Sequence, residues 1–396
     1  MEHLGSNLST GRDNPLAPEY IIVQNNGMGQ WAAQHIATNT GILANFCFEL
    51  PTSFAWKIIR SFIEAPQRAD LEKDELVWQI FAQLYAHPEE YPEVSEYLGS
   101  NEGCECGENS AKLYHLSAQL ADIFDQYQVF RQDWILSWEK QDGWGSETFP
   151  TLGPGKEHWQ VKLWQSISDK ASEDSGTKDH RAALINRFFE KTQSGEFDSN
   201  HLANILPQRI SIFGTDTLAP VYLKFFSVLS QFTEVTIYSF NPCMEYWGDI
   251  SSEKQMANRR LSGEDAELVE YSESGNNLLS SMGKIGREYH ELLMDFEIQE
   301  YDCFDKEQLG SSLLHSLQND ILTLQNSSGV CFLDDSILVN DCHTPLRELE
   351  VLHDQLLEMF ANDSQLKPSD ILVMTPDINK YAPFIEAVFE RRVVDS

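Results

Sequence analysis

Residues 20–42, "YIIVQNNGMGQWAAQHIATNTGI", decide how the rest of the chain is read. The apolar run Tyr20–Gln24 predicts a buried strand, Asn25–Gly27 a turn, and the residues to about Thr38 a helix. Strand, glycine turn and helix in that order form the frame of phosphate-cradling loops. A working P-loop also ends in Gly-Lys-Ser/Thr, because the lysine meets the β/γ-phosphates and the hydroxyl holds magnesium. The quoted stretch has no lysine, and Gly155-Lys156 and Gly283-Lys284 are followed by Glu157 and Ile285. Neither completes the motif.

Outward from this unit, "NFCFELPTSFAWKIIRSFIE" predicts a strand or extended piece, then Pro51 as a breaker and Thr52 or Ser53 as the N-cap of an aromatic-rich helix. From about Asp70 to Phe189 the pattern is helical, interrupted at 99–110 and 141–158. "RISIFGTD" (209–216), "APVYLKFFSVLSQF" and "EVTIYSF" (234–240) read as strand, helix, strand, hence parallel pairing with a right-handed crossover. Asp216 stands alone where a Walker-B strand would present paired acids, which suits a turn or cap residue. Residues 336–360 and 368–389 again alternate strand, helix, strand, helix. The fold class is therefore α/β: a parallel sheet carrying a large helical insertion, followed by the start of a second α/β domain. The divisions expected are 1–60, 61–205, 206–330 and 331–396.

Composition narrows the function. The chain has 28 basic against 62 acidic residues, a net charge of −34, which ordinarily argues against nucleic acid. Binding depends, however, on where basic groups converge rather than on their sum. No apolar run approaches the ~18 residues of a membrane span, and "MEHLGSNLSTGRDNPLAPEY" lacks a signal pattern. Seven dispersed cysteines suit a reducing compartment, so the cytoplasm is expected. Cys104 and Cys106 sit in a glycine-rich loop without a matching Cys/His pair, and read as loop thiols rather than zinc ligands. No lysine has an acid two positions earlier, which removes the common metal-dependent nuclease pattern, and no Gly-x-Ser-x-Gly elbow occurs.

Recognition remains. In "LYHLSAQLADIFDQYQVFRQDWILSW" (113–138), Leu113, Leu116, Leu120, Ile123, Phe124 and Tyr127 form an apolar stripe at helical spacing. Asp122, Asp125 and Gln126 fall on the other face, where they are either a solvated surface or groups that meet base edges. Trp31 and Trp56 could stack unpaired bases, although tryptophan more often fills a core.

"IIVQNNGMGQW", "LPTSFAW", "LADIFDQYQVFRQDW", "NPCMEYWGDI", "SMGKIGREYHELL", "LRELEVLHDQLL" and "PSDILVMTPDINKYAPFIEAVF" occur in an order that resembles the RecC family, the gamma chain of exodeoxyribonuclease V, over about its N-terminal third. The resemblance implies a superfamily 1 helicase-like, P-loop-type fold that has lost its catalytic residues. It implies a non-catalytic DNA-recognition and scaffold subunit working with RecB-like and RecD-like partners in a heterotrimer for double-strand-break repair. Such a subunit handles single- and double-stranded DNA and reads Chi. This chain would bind no cofactor, the partners using ATP and Mg. Carried over position by position, the Chi-reading set is Gln24, Asn26, Gln30, Leu50, Trp56, Asp122, Ile123, Asp125, Arg131 and Arg181. Asn26 stands where other members have Thr, and Ile123 where they have Leu. The family's opening strand and helix have no evident counterpart in residues 1–19, which would leave an unpaired sheet edge. Two other readings stay open: an ATP-dependent helicase with a divergent nucleotide site, and a protein-interaction module whose helices 70–190 pack on a motor subunit.

Overall fold

Parallel strands buried on both faces read as short apolar runs, and two such runs, at 19–23 and 209–213, form the middle of a four-stranded sheet whose outer strands are half-buried. The computed structural model describes residues 2–9, 17–63, 65–99, 106–140, 158–196, 205–251, 254, 256–257, 261, 275–304, 310–326 and 334–390. They fall into two units, 1–304 and 305–396.

In the first unit, α1 (Glu2–Ser9) precedes β1 (Glu19–Val23), α2 (Asn26–Thr40), β2 (Phe46–Glu49) and α3 (Pro51–Phe62). A helical body follows: α4 (Lys73–Ala86), α5 (Pro92–Leu98), α6 (Cys106–Phe130), α7 (Gln132–Lys140), α8 (His158–Ser175) and α9 (Arg181–Gln193). The chain then returns to the sheet through β3 (Arg209–Phe213), α10 (Pro220–Leu229) and β4 (Glu234–Tyr238), and continues into α11 (Asn277–Met282) and α12 (Lys284–Met294). The strand order is β2-β1-β3-β4 and every pair is parallel, with Tyr20 opposite Cys47 on one side and Ile210 on the other.

Side-chain alternation divides the strands between two cores. Ile22, Ile210 and Ile212 pack under α3, α9 and α10 with Phe54, Phe188 and Phe226. Ile21 and Val23 point the other way, onto Leu4 of α1 and Ile36 of α2. A third cluster, with Phe124, Trp138 and Trp164 at its centre, belongs to the helical body alone.

Three expectations are corrected. Residues 2–9 supply a helix that covers β1, where no counterpart of the family's opening helix is expected, while no strand precedes β1 among the described residues and the sheet's edges are β2 and β4. Pro51 is no breaker: it opens α3 at the first helical position, where its missing N–H costs nothing, and Leu50 occupies the cap position without a side-chain bond. Helix α6 begins at Cys106, inside the interruption expected at 99–110, while Cys104 and the 141–157 stretch lie outside the described residues.

The second unit also departs from expectation. It holds α13 (Leu313–Leu322), α14 (Pro345–Asn362) and α15 (Ile378–Phe389), the last two packed together with Tyr381 Oη donating to Glu348 Oε2 at 2.9 Å. The strands expected near 336–343 and 370–376 belong to no sheet among the described residues. Ile371 has extended backbone, but Leu338, Val339, Leu372 and Met374 are exposed. An apolar run creates the demand for a strand, and only a neighbouring strand satisfies it.

Arg209 fastens the sheet at its centre. Its guanidinium donates to Glu19 Oε1 (Nε at 2.8 Å) and to the Asn7 and Leu8 carbonyls at the end of α1 (2.5 and 3.2 Å), while Glu19 is 1% exposed. Removing the guanidinium would take its cation from a buried carboxylate. Arg209→Ala is expected to lose about 3–5 kcal/mol in urea denaturation. Arg209→Lys should recover only part, since an ammonium cannot reproduce the fork of donors.

Candidate nucleic-acid interface

The carboxyl ends of parallel strands, where connecting loops diverge, are where α/β sheets hold ligands. Here β1 and β3 diverge in that way, β1 leading to β2 on one side and β3 to β4 on the other. Gln24, Asn26 and Gln30 lie at the exit of β1, all exposed and none hydrogen-bonded through its side chain to another described residue. The loop could not easily present bare amides to a phosphate: Asn25 caps α2, its Oδ1 accepting from Met28 N at 2.8 Å. Met28 also fills the space beside β3. Gly214 there has φ 65°, and a Cβ built on it would meet Met28 Sδ at 3.1 Å. Gly29 permits a second close approach, with Phe48 of β2 3.3 Å from where a Cβ would stand.

Leu50 and Trp56 sit on the next turn and helix. Both are half-buried, and Trp56 packs against the main core while Arg60 Cζ lies 5.9 Å from its ring centre. Trp56 is thus partly core and partly surface. Trp31 is half exposed, its ring 5.5 Å from that of His35 and 6.3 Å from Phe213.

The remaining candidates lie on the helical body. The expected stripe of α6 is met at Leu113, Leu120 and Phe124, which are buried, and at Leu116 and Tyr127, which pack half-buried on the same core; Ser117, Ala121 and Gln128 join the buried set, and Ile123 is half-buried. Asp122 and Asp125 are not a free solvated face. Asp122 pairs with Lys73 of α4, whose ammonium pKa is raised chiefly by that hydrogen bond. Asp125 Oδ1 lies 3.0 Å from Arg181 Nη1, an ion pair without hydrogen-bond alignment, each side chain about a quarter exposed. Arg131 is exposed, its Cζ 5.1 Å from the Trp134 ring centre. The fold thus joins Asp125 to Arg181, and no hydrogen bond or ion pair links the α2 group to the α6 group among the described residues.

Sequence reasoning missed the groups that hold Arg181 in place. Gln128, fully buried, donates to Leu71 O at 3.3 Å and accepts from Arg181 N at 3.1 Å. His180 caps α9, Nδ1 accepting from Ala183 N at 3.3 Å, which leaves Nε2 to donate to Glu139 Oε1 at 2.9 Å. The same Glu139 oxygen accepts from Ser168 Oγ (2.7 Å) and Trp164 Nε1 (3.1 Å). Burial alone would raise the Glu139 pKa, but the His180 and Ser168 hydrogen bonds and the charge of Lys178 outweigh it, and the carboxyl ends below its ordinary 4.5. A signal existed for Gln128: a polar residue one turn beyond Phe124 on a core-facing stripe needs a partner.

For metal, His87, Glu89 and Glu90 bring ligand atoms within 4.8 Å of one another. They occupy a surface turn, and Glu90 already meets Lys162 at 3.0 Å, so nothing there calls for an ion. No helix among the described residues is long and apolar enough to cross a membrane.

Comparison with known proteins adds the family. The model of the family described as RecC, N-terminal domain, matches residues 1–324, so the opening residues fall inside the likeness rather than outside it. The RecBCD enzyme subunit RecC of Escherichia coli (strain K12) is 36% identical over 95% of this chain and 36% of its own length. That of Haemophilus influenzae is 33% identical over 96% of this chain and 37% of its own. That of Mycolicibacterium smegmatis is 27% identical over 98% and 33%. This chain spans about a third of the length of these relatives.

The Glu139 cluster carries a pH dependence whose sign is set. A carboxyl with a depressed folded pKa stabilises fully above the unfolded value, and that stability is lost as pH falls through the folded one. Glu139→Gln is expected to cost about 1–3 kcal/mol at neutral pH. It should also flatten the acid limb of stability against pH below about 4.5, where wild type loses this contribution. Urea midpoints across pH 3–7 check both.

Proposed function

This chain belongs to the RecC family, and on that premise we propose that it is a non-catalytic DNA-recognition and scaffold subunit of an exodeoxyribonuclease V-type helicase–nuclease. In this reading the sheet and its helical insertion derive from a superfamily 1 helicase whose nucleotide site has become a strand-reading surface. The observation that carries it is the loop at 24–30. A phosphate loop needs a lysine and open amides. This one instead has exposed carboxamides, an asparagine cap over the helix N-terminus, and a methionine beside the neighbouring strand. Carboxamides pair bidentately with adenine, which suits Gln24, Asn26 and Gln30 to base edges.

The second half of the surface works by exchange. The Asp125–Arg181 pair is a quarter exposed with Asp125 Oδ1 itself buried, so opening it costs more than the roughly 0.2–1 kcal/mol of a surface pair and needs a donor from the strand in exchange. Opened, Asp125 accepts from a cytosine amine and Arg181 donates to guanine or phosphate. Arg131 adds a phosphate contact, and Leu50, Trp56 and Ile123 supply apolar surface for the unstacked strand. ATP and Mg are used by RecB-like and RecD-like partners, and the sequence read is a Chi element.

Asp125→Ala separates this role from a structural one. Stability should fall by about 1–3 kcal/mol, leaving the chain folded. In the assembled enzyme, discrimination between Chi-containing and scrambled single strands should fall by about 1–3 kcal/mol with unwinding retained. Loss of unwinding and discrimination in equal measure would overturn the assignment, as would saturable micromolar binding of an ATP analogue by this chain alone.

A further inference from the structure

Helix α4 has two apolar faces where one core exists to receive them. Leu76, Val77, Ile80 and Leu84 are buried in the helical body. Trp78 and Tyr85 lie on another face, 61% and 66% exposed, with Phe81 half-buried between them. Tyr114 of α6, 42% exposed, joins the row. The four rings touch in sequence: Phe81–Tyr85 centres are 6.0 Å apart at 7°, Trp78–Phe81 6.1 Å at 71°, and Trp78–Tyr114 5.7 Å at 49°. A continuous aromatic ladder in water is an association surface, because tryptophan and tyrosine lose little entropy on contact and bury much area.

The charge around the ladder selects its occupant. Residues 73–98 carry six carboxylates against one lysine; that lysine is taken by Asp122, and among the described residues Glu90 alone of the six is met by a lysine, Lys162 of α8. No lysine or arginine forms an ion pair with Asp74, Glu75, Glu93 or Glu96 among the described residues, and Asp74 lies one turn before Trp78. A nucleic-acid strand or an anionic membrane would meet like charge here. A second copy of this chain, at net −34, would meet its own sign. An arginine side chain fits both features, stacking its guanidinium on the rings and its charge against the carboxylates. We propose that the α4 ladder docks an arginine-bearing, cationic segment of a partner protein. The ladder's rings belong to no strand-reading residue, although Lys73 beside them is held by Asp122 of that set.

The test uses the full chain and a labelled amphipathic helical peptide with arginines on one face, read by fluorescence anisotropy. Its Lys-for-Arg and Glu-for-Arg versions and single-stranded oligo(dT) serve as competitors. Wild type should bind the arginine peptide ahead of the lysine one, and Trp78→Ala with Tyr85→Ala should weaken it about tenfold. Asp74→Lys with Glu75→Lys, on exposed positions that leave the core untouched, should weaken it as much and so covers the case in which the aromatic variant fails to fold. Unchanged peptide binding in a folded variant overturns the proposal. So does oligo(dT) displacing the peptide, or a wild-type dimer in sedimentation that the aromatic variant lacks.

Discussion

The Glu19–Arg209 ion pair joins residues 190 positions apart, and the arrangement of the first unit rests on it. Strands β1 and β3 are neighbours only because the chain between them leaves the sheet, builds a helical body and comes back in register. A parallel pair with no short connection has little local reason to form. The guanidinium supplies one: it binds the first residue of β1 and the last carbonyls of α1 from the first residue of β3. Three segments are thereby fixed at the amino end of the sheet. The loops at the opposite end, including 24–30, are set by the same register.

The parts of this fold that were legible share a property: they are decided within a short window. Strands β1, β3 and β4 are apolar runs bounded by turn residues, and a strand–helix–strand spacing implies parallel pairing. What was not legible depended on distant partners. The runs near 338 and 372 look like strands because they are apolar and branched, yet pairing is a property of two segments. The buried face of α6 is wider than its apolar stripe because Ser117 and Gln128 occupy core positions, Ser117 bonding back to Leu113 O and Gln128 reaching Leu71 and Arg181. Pro51 in sequence looks like a stop, although the same fixed dihedral serves as a start. At the candidate site, the carboxylates of α6 are visible in the sequence, but their partner Lys73 and the Glu139 that anchors His180 are not, since they lie about 50 and 41 positions from what they meet.

Carboxylates serve three ends in this protein. Glu19 and Glu139 are buried and matched by donors, and they hold elements in place. Asp122 is half-exposed and Asp125 a quarter exposed, each matched by a single cation. Those of α4 and α5 face solvent beside exposed rings. A single figure for net charge conceals this division, because the effect of an acid depends on its nearest cation and on the water left around it.

The self-contained core of the helical body has a bearing on how the chain matures during translation. Residues 71–182 close their own hydrophobic cluster. They can consolidate as soon as they emerge from the ribosome, by contacts that are near in sequence. Glu19 is synthesised early and stays hydrated until Arg209 arrives, so the first two strands wait beside a finished domain for the third. The insertion thus imposes an order of assembly, bundle before sheet. A pause or truncation upstream of residue 209 would leave a folded bundle attached to an open, aggregation-prone strand pair.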